Sequence, residues 1–205
     1  MPLASPPALR PRTGAAALER REERRRRLLE ASLRLFSTRG FHVTSIDEIV
    51  AAARTSKSAF YEFFESKEDC FRQLLEAEGG RLIQAVIAAA AQGSDHRDRL
   101  RRGIAAFLAA CFRDVRVARL LLVESVGLSP AIEAVRHRLQ GRFAEMVEEE
   151  VRRAAAADAF YAAADPVAFG RALVGAVNEA GGHFAVAGGA GPARLARELG
   201  RIFAP

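Results

Sequence analysis

Between Thr44 and Lys67 the chain reads TSIDEIVAAARTSKSAFYEFFESK. Its apolar residues fall into two short groups, Ile46, Ile49 and Val50, then Phe60, Phe63 and Phe64, separated by the polar run Arg54, Thr55, Ser56. Spacings of three and four within each group are those of a helix that buries one face, and the polar break between them is too short for anything but a tight turn. Two short helices joined in this way have the layout of a helix-turn-helix. Ser45 precedes Glu48 by three residues, and Thr44 precedes Asp47 by the same interval, so a hydroxyl and a carboxylate can cap the first helix in either register. Ser56 is placed to cap the second.

What such a unit is attached to is bounded by charge and composition. Half of the 205 residues are apolar, enough for a sizeable core in one or two domains. The formal net charge is +6, and the first forty residues hold ten arginines against four glutamates, so the whole excess lies at the N-terminal end. The other 165 residues balance. A basic end beside a helix-turn-helix points to a polyanion partner. Cys70 and Cys111 lie far apart within helical patterns, with no CxxC spacing and no histidine partner, and read as core residues of a reduced, cytoplasmic protein without a metal. Prolines 2, 6, 7 and 11 interrupt the N-terminus, which lacks the apolar run of a signal peptide. No apolar stretch reaches membrane-spanning length free of charge. The longest, Val167 to Ala187, is broken by Arg171, Glu179 and His183.

Taken in order, residues 1–18 are rich in Pro, Ala and Arg and read as a disordered basic arm. A first helix is predicted from about Ala17 to Thr38, with Leu29, Leu33 and Phe36 as its apolar stripe and Gly40 as its stop. After Phe64, Ser66 with Asp69 caps a long helix that continues to about Gln92 and ends at Gly93. Further helices are predicted from Asp95 to about Phe112, from Val115 to Val126 before Gly127, from the Ser129-Pro130 start to about Ala156, from the Asp165-Pro166 start through Phe184, and from Gly191-Pro192 to the end. No stretch alternates apolar and polar residues long enough to be a strand. The fold class is therefore all-α.

The segment LRLFSTRGFHVTSIDEIVAAARTSKSAFYEFFESKEDCFRQLL, behind an arginine-bearing helix and ahead of a helical bundle, resembles the TetR/AcrR family of bacterial transcriptional regulators. The likeness is specific over residues 20–75, where LRLFxxRGF, TSIDEIVxxA, SKxxFYxxF and SKE fall in the family's order and spacing. Beyond that only the succession of helices agrees. The resemblance implies a three-helix DNA-binding domain over residues 19–65 and a helical ligand-binding and dimerisation domain over residues 66–205. It also implies a homodimeric repressor that leaves its operator when a small-molecule effector binds, or an activator of the same family.

The residues of the motif carry a reading of their own. If Phe60, Phe63 and Phe64 turn inward, Lys57, Ser58, Ala59, Tyr61 and Glu62 are left outward near the start of the recognition helix. Lys57 can donate to guanine or phosphate, Ser58 to almost any base, Ala59 can meet a thymine methyl, and the Tyr61 hydroxyl can reach phosphate. Thr44, Ser45, Ser56 and Lys67 lie at helix starts where a DNA backbone would pass, with Arg54 and Thr55 in the turn between. Three of these residues depart from the family's pattern. Arg54 stands where a glycine is common, so it either adopts a left-handed conformation or alters the turn. Thr55 replaces an apolar anchor, and Phe63 replaces a histidine used on phosphate. With one long cation on the recognition helix, much of the attraction is expected from the arm and first helix, Arg10 to Arg27.

The partners implied are double-stranded, near-palindromic operator DNA and a second copy of the chain. From Val167 to Gly188 the only formal charges are Arg171 and Glu179 among many small residues, so this helix has a face left over for a two-fold mate, with the last helix beside it. A ligand pocket is expected among Phe107, Cys111, Leu121, Phe143 and Met146. Glu124, Asn178 and His183 are polar residues within apolar segments, better read as satisfied buried or interface groups than as ligand contacts. No cofactor is called for. The four histidines are scattered, and HExxH, GxSxG, CxxC and phosphate-loop patterns are missing, which argues against an enzyme. A bundle that only docks proteins would not need the exposed SKS and Tyr61 set.

Overall fold

The computed structural model describes residues 13–188 and 191–205, which form ten α-helices and no strand. Residues 1–12 of the expected arm lie outside the described residues. Residues 13–18, expected to belong to that arm, are instead helical, because α1 runs Thr13–Arg39. The helix needs no cap near Ala17, since Thr13 to Leu18 contain three alanines in a row and no proline. Its inner face buries Leu28, Ala31, Leu35 and Phe36, and Gly40 ends it with φ +87, a conformation that costs a residue with a Cβ about 1 kcal/mol or more.

Helices α2 (Ile46–Ala52) and α3 (Lys57–Tyr61) complete the N-terminal unit. The recognition helix is shorter than the sequence suggests, with Glu62 as its C-cap rather than a run to Phe64. Phe60 and Phe64 are fully buried with ring centroids 5.1 Å apart, while Phe63 is only half-buried. The cause lies on α1, where the Arg21 guanidinium covers the Phe63 ring at 4.8 Å and keeps it near the surface. A second aromatic group joins Phe36, Phe41 and Phe71 at centroid distances of 5.2 to 5.6 Å.

Phe71 belongs to α4 (Lys67–Ala90), capped by Ser66, whose hydroxyl accepts from Asp69 N. Twenty-four residues at about 1.5 Å each make a rod of roughly 36 Å. Its first half buries Cys70, Phe71, Leu74 and Leu75 and its second half Leu82, Ile83 and Val86, and one continuous hydrophobic core takes in all of these except Ile83.

The bundle consists of α5 (His96–Arg113), α6 (Val115–Arg119), α7 (Pro130–Ala154), a short α8 (Ala159–Ala162), α9 (Pro166–Ala187) and α10 (Pro192–Phe203). The start signals at Asp95, Ser129-Pro130 and Asp165-Pro166 are used as expected, each side chain accepting from a backbone N–H two or three residues into its helix. Past Arg119, α6 widens into a π-helical turn over Leu120–Glu124 before Gly127 reverses the chain at φ +69. Helix α8 was not legible. It exists to seat Tyr161, fully buried against Phe169 at 5.8 Å, with its hydroxyl donating to the Phe203 carbonyl at 3.2 Å. Helices α7 and α9 come together at Gly170, where a Cβ would lie 2.8 Å from the Ala144 carbonyl oxygen. Among the described residues no helix is long and apolar enough to cross a membrane.

Candidate nucleic-acid interface and apolar cavity

The turn between α2 and α3 is built from backbone geometry. Thr55 N donates to the Val50 carbonyl at 2.9 Å and Arg54 N to the Ala51 carbonyl at 3.1 Å, the paired bonds of a Schellman termination. Arg54 sits at its left-handed position with φ +52, so the chain keeps the turn and accepts the strain instead of altering the turn. The guanidinium is exposed at the apex. Thr55 is half-buried beneath it.

Each helix start is closed locally. Ser45, not Thr44, caps α2, with its hydroxyl accepting from Glu48 N at 3.2 Å and Glu48 accepting from Ser45 N at 2.8 Å. That backbone N–H, Arg39 and the Ser45 hydroxyl together draw the Glu48 carboxyl down from its ordinary 4.5 to about 2. Ser56 caps α3, accepting from Ala59 N at 3.2 Å, and its hydroxyl lies 2.9 Å from that of Ser58. Lys57 is exposed, and its ammonium sits 2.9 Å from the Asp47 carboxylate, which raises the Lys57 pKa. Tyr61 is 54% exposed and stands edge-on to Phe60. Ala59, expected outward, is half-buried.

Two expected members are turned away from solvent. Thr44 is buried, with its hydroxyl donating to the Gly40 carbonyl at 2.8 Å, so it closes the turn after α1 and offers no hydroxyl outward. The Lys67 ammonium donates to the carbonyls of Phe41 and Thr44, both at 2.8 Å, and lies 4.3 Å over the Phe41 ring. Partial burial lowers its pKa. Lys67 therefore clamps the α1–α2 loop, satisfying carbonyls that no helix uses, and is not a free cation for phosphate. Arg54, Ser45, Ser56, Lys57, Ser58 and Tyr61 remain exposed in and beside the turn.

The arginines of α1 are partly engaged. Arg21 and Arg24 donate to the Glu62 carboxylate at 2.9 and 3.1 Å, Arg25 to Gln73 at 2.9 Å, and Arg26 to Glu23 at 2.8 Å. Sequence reasoning missed the Glu62 pairing, which joins residues about forty apart.

The second feature is a cavity of about 510 Å³ lined by α4, α5, α7 and α9. Phe107, Phe143 and Met146, three of the candidates from sequence, line it. The other two residues expected there, and the three polar residues weighed beside them, do not. Cys111 and Leu121 are buried in the core beyond it. Glu124 faces the N-terminal unit, where a methyl group on Gly40 would come 3.4 Å from its Oε2, because the π-helical turn swings it towards α1. Asn178 is half-buried and His183 exposed on α9, both off the cavity. The polar groups that do reach the cavity are Arg99, Glu149, Glu150 and Arg153, all at one end. Their sequence signal was the charged run EEEVRR near the end of α7 and, for Arg99, the run HRDRLRR at the start of α5, each of which reads equally well as a solvated face.

A capped helix-turn-helix joined by one long helix to a cavity-bearing bundle defines a two-part, all-α helix-turn-helix protein. Residues 28–74 match the family described as bacterial regulatory proteins, tetR family, and residues 93–204 match the tetracyclin repressor-like C-terminal domain. The second match alone covers more than half of the chain, and the protein belongs to the TetR family of bacterial regulatory proteins. Among curated relatives, the HTH-type transcriptional activator FasR of Mycolicibacterium smegmatis is 32% identical over 114 residues, 56% of this chain and 52% of that protein. The chain thus spans about half the length of that relative. Among solved structures, the transcriptional regulator FadR from Bacillus subtilis in complex with stearoyl-CoA superposes with a TM-score of 0.79 at 12% identity, covering 87% of this chain and 97% of that one. AibR in complex with isovaleryl coenzyme A and operator DNA superposes with a TM-score of 0.73 at 21% identity, covering 89% and 98%. At these identities the two structures share the fold.

Proposed function

We propose that the protein is a sequence-specific transcriptional regulator, a homodimeric repressor that leaves a near-palindromic operator when a small-molecule effector fills the cavity between α4, α5, α7 and α9. The observation that carries this reading is the exposed set Arg54, Ser56, Lys57, Ser58 and Tyr61 around a capped turn, at one end of the helix whose other end walls the cavity. Residues 19–65 serve DNA and residues 66–205 serve ligand and dimer, with α4 running through the one hydrophobic core they share. The protein acts by binding in the cytoplasm and not by catalysis.

Lys57 and Ser58 read base edges, while Ser45, Ser56, Arg54 and Tyr61 take phosphates. Dimerisation uses the outer face of α9, where Val167, Arg171, Ala172, Gly175, Glu179 and Val186 are exposed, together with α10. A two-fold axis there sets the recognition helices roughly 34–36 Å apart, one turn of B-DNA. The coenzyme A thioesters bound by FadR and AibR support an acyl-bearing effector for this cavity as well. The name of FasR supports one second reading, activation in place of repression.

Sequencing genomic DNA retained by the purified protein tests the reading. Recovery of a short near-palindrome upstream of genes whose transcripts rise when this gene is deleted is the expected result, and falling transcripts select the activator. Retention of no defined sequence, or sedimentation as a monomer at micromolar concentration, overturns it.

A further inference from the structure

The charges at the cavity end are not equally engaged. Glu150 is buried and its carboxylate is already shared, by His96 Nδ1 at 2.7 Å, Arg153 at 3.0 Å and Arg99 at 3.5 Å. Glu149 is largely exposed and pairs with Arg153 at 3.4 Å. A guanidinium carries five N–H donors, and among the described residues Arg99 uses one of them, in a long contact, so Arg99 keeps donors free while the buried carboxylate of Glu150 is fully engaged. A cationic ligand would have to displace a positive group from Glu150. An anionic one finds donors waiting.

The opposite end is closed by carbon. Phe107 and Phe143 meet edge-to-face at 5.6 Å. Between the two ends the walls are Val86, Ile104, Val174 and Val177, with no charged side chain. From Arg99 to Phe107 is eight residues of α5 and from Phe143 to Arg153 ten of α7, so the distance from end to end is roughly 12–15 Å at 1.5 Å per residue. An extended alkyl chain, with bonds near 1.52 Å and angles near 111°, advances roughly 1.25 Å per carbon.

We infer that the cavity takes a fatty acyl group of about ten to twelve carbons, its chain reaching the Phe107–Phe143 floor and its anionic head held by Arg99 and Arg153. The inference rests on the reading of this cavity as the effector site, and it sets a chain length shorter than the stearoyl group of the FadR complex. The head can be the carboxylate of a free acid or the phosphates of a coenzyme A thioester, since both offer oxygens to guanidinium groups.

Calorimetric titration of the full chain with free acids from six to sixteen carbons, and with the matching thioesters, tests it without DNA. Affinity should rise about fourfold per carbon and stop rising at ten to twelve. A continued rise to sixteen carbons, or no binding by either series, overturns it. Binding by one series alone supports it and identifies the head group. Replacing both Arg99→Gln and Arg153→Gln should weaken the anionic ligand about tenfold or more and leave 1-dodecanol unchanged within about twofold. Equal loss for the alcohol, or no loss for the anion, overturns the head assignment. Val177→Phe, one turn from the floor, should move the limit to shorter chains, with circular dichroism checking the fold; an unmoved limit in a folded variant overturns the chain path. Acyl binding that fails to release DNA leaves the inference standing and removes the effector reading. Release by another compound with no acyl binding removes the inference.

Discussion

The ammonium of Lys57 lies 2.9 Å from Oδ1 of Asp47, a carboxylate carried by the preceding helix, so the one long cation of the recognition helix is already paired before DNA arrives. DNA contact must exchange this partner for a base or phosphate. Asp47→Asn should therefore raise affinity for any duplex about threefold or more, and Lys57→Ala should lower operator affinity about tenfold while reducing the salt slope by about one. Fluorescence anisotropy across a salt series measures both. An unchanged slope for Lys57→Ala removes Lys57 from the interface.

Arg54 sets conformation against charge. In the left-handed position a glycine is free of the Cβ penalty, so Arg54→Gly should stabilise the fold by about 1 kcal/mol. The same change should weaken DNA binding and lower the salt slope by about one. Thermal unfolding and anisotropy on one sample separate the two effects, which ought to have opposite signs.

Lys67 predicts the reverse pattern to a phosphate contact. Lys67→Met leaves the carbonyls of Phe41 and Thr44 without their donor, at about 2 kcal/mol for a charge-assisted set. Unfolding should shift to lower denaturant, with the salt slope of DNA binding intact.

The capping box has a pH signature. The Glu48 carboxyl titrates lower when folded than its ordinary 4.5, at about 2, so its stabilisation is complete above 4.5 and is lost as pH falls towards 2. The gap in melting temperature between the native chain and Glu48→Gln should be constant from pH 7 to about 5 and close at lower pH. A gap that persists near pH 2 would exclude the charge as its origin.

Both thiols should be silent. Burial pushes Cys70 and Cys111 up to about 12, and Cys70 also sits 3.2 Å from the Ser32 hydroxyl. With so little thiolate at neutral pH, disulfide reagents should react only as fast as the protein opens, and stoichiometrically once it is unfolded.

Helix starts were legible because a cap is a local event: Ser45, Ser56, Ser66, Asp95, Ser129 and Asp165 each meet a backbone N–H within three residues. The same locality explains the misreadings. Lys67 looks like any cation at a helix start, and only the fold brings it to a loop some twenty-five residues earlier. Thr44 and Ser45 offered two cap registers, and burial of Thr44 after Gly40 settled the choice. Apolar cavity residues such as Phe107 and Phe143 followed from periodicity. The charged end did not, since Arg99 and Glu150 are about fifty residues apart and each alone resembles a solvated face. Glu124 reads from sequence as a satisfied buried or interface group, and its place beside Gly40 comes with the π-helical segment, a detail no spacing rule encodes.

Helix α4 runs the length of one continuous hydrophobic core, with Cys70, Phe71, Leu74 and Leu75 in its first half and Leu82 and Val86 in its second. Because that core is continuous, the N-terminal unit and the bundle should unfold in one calorimetric transition. Val86 also walls the cavity. Any occupant that protects the bundle from heat must then protect the recognition helix by the same margin, and the thermal stability of the DNA-reading surface becomes a gauge of what the cavity holds.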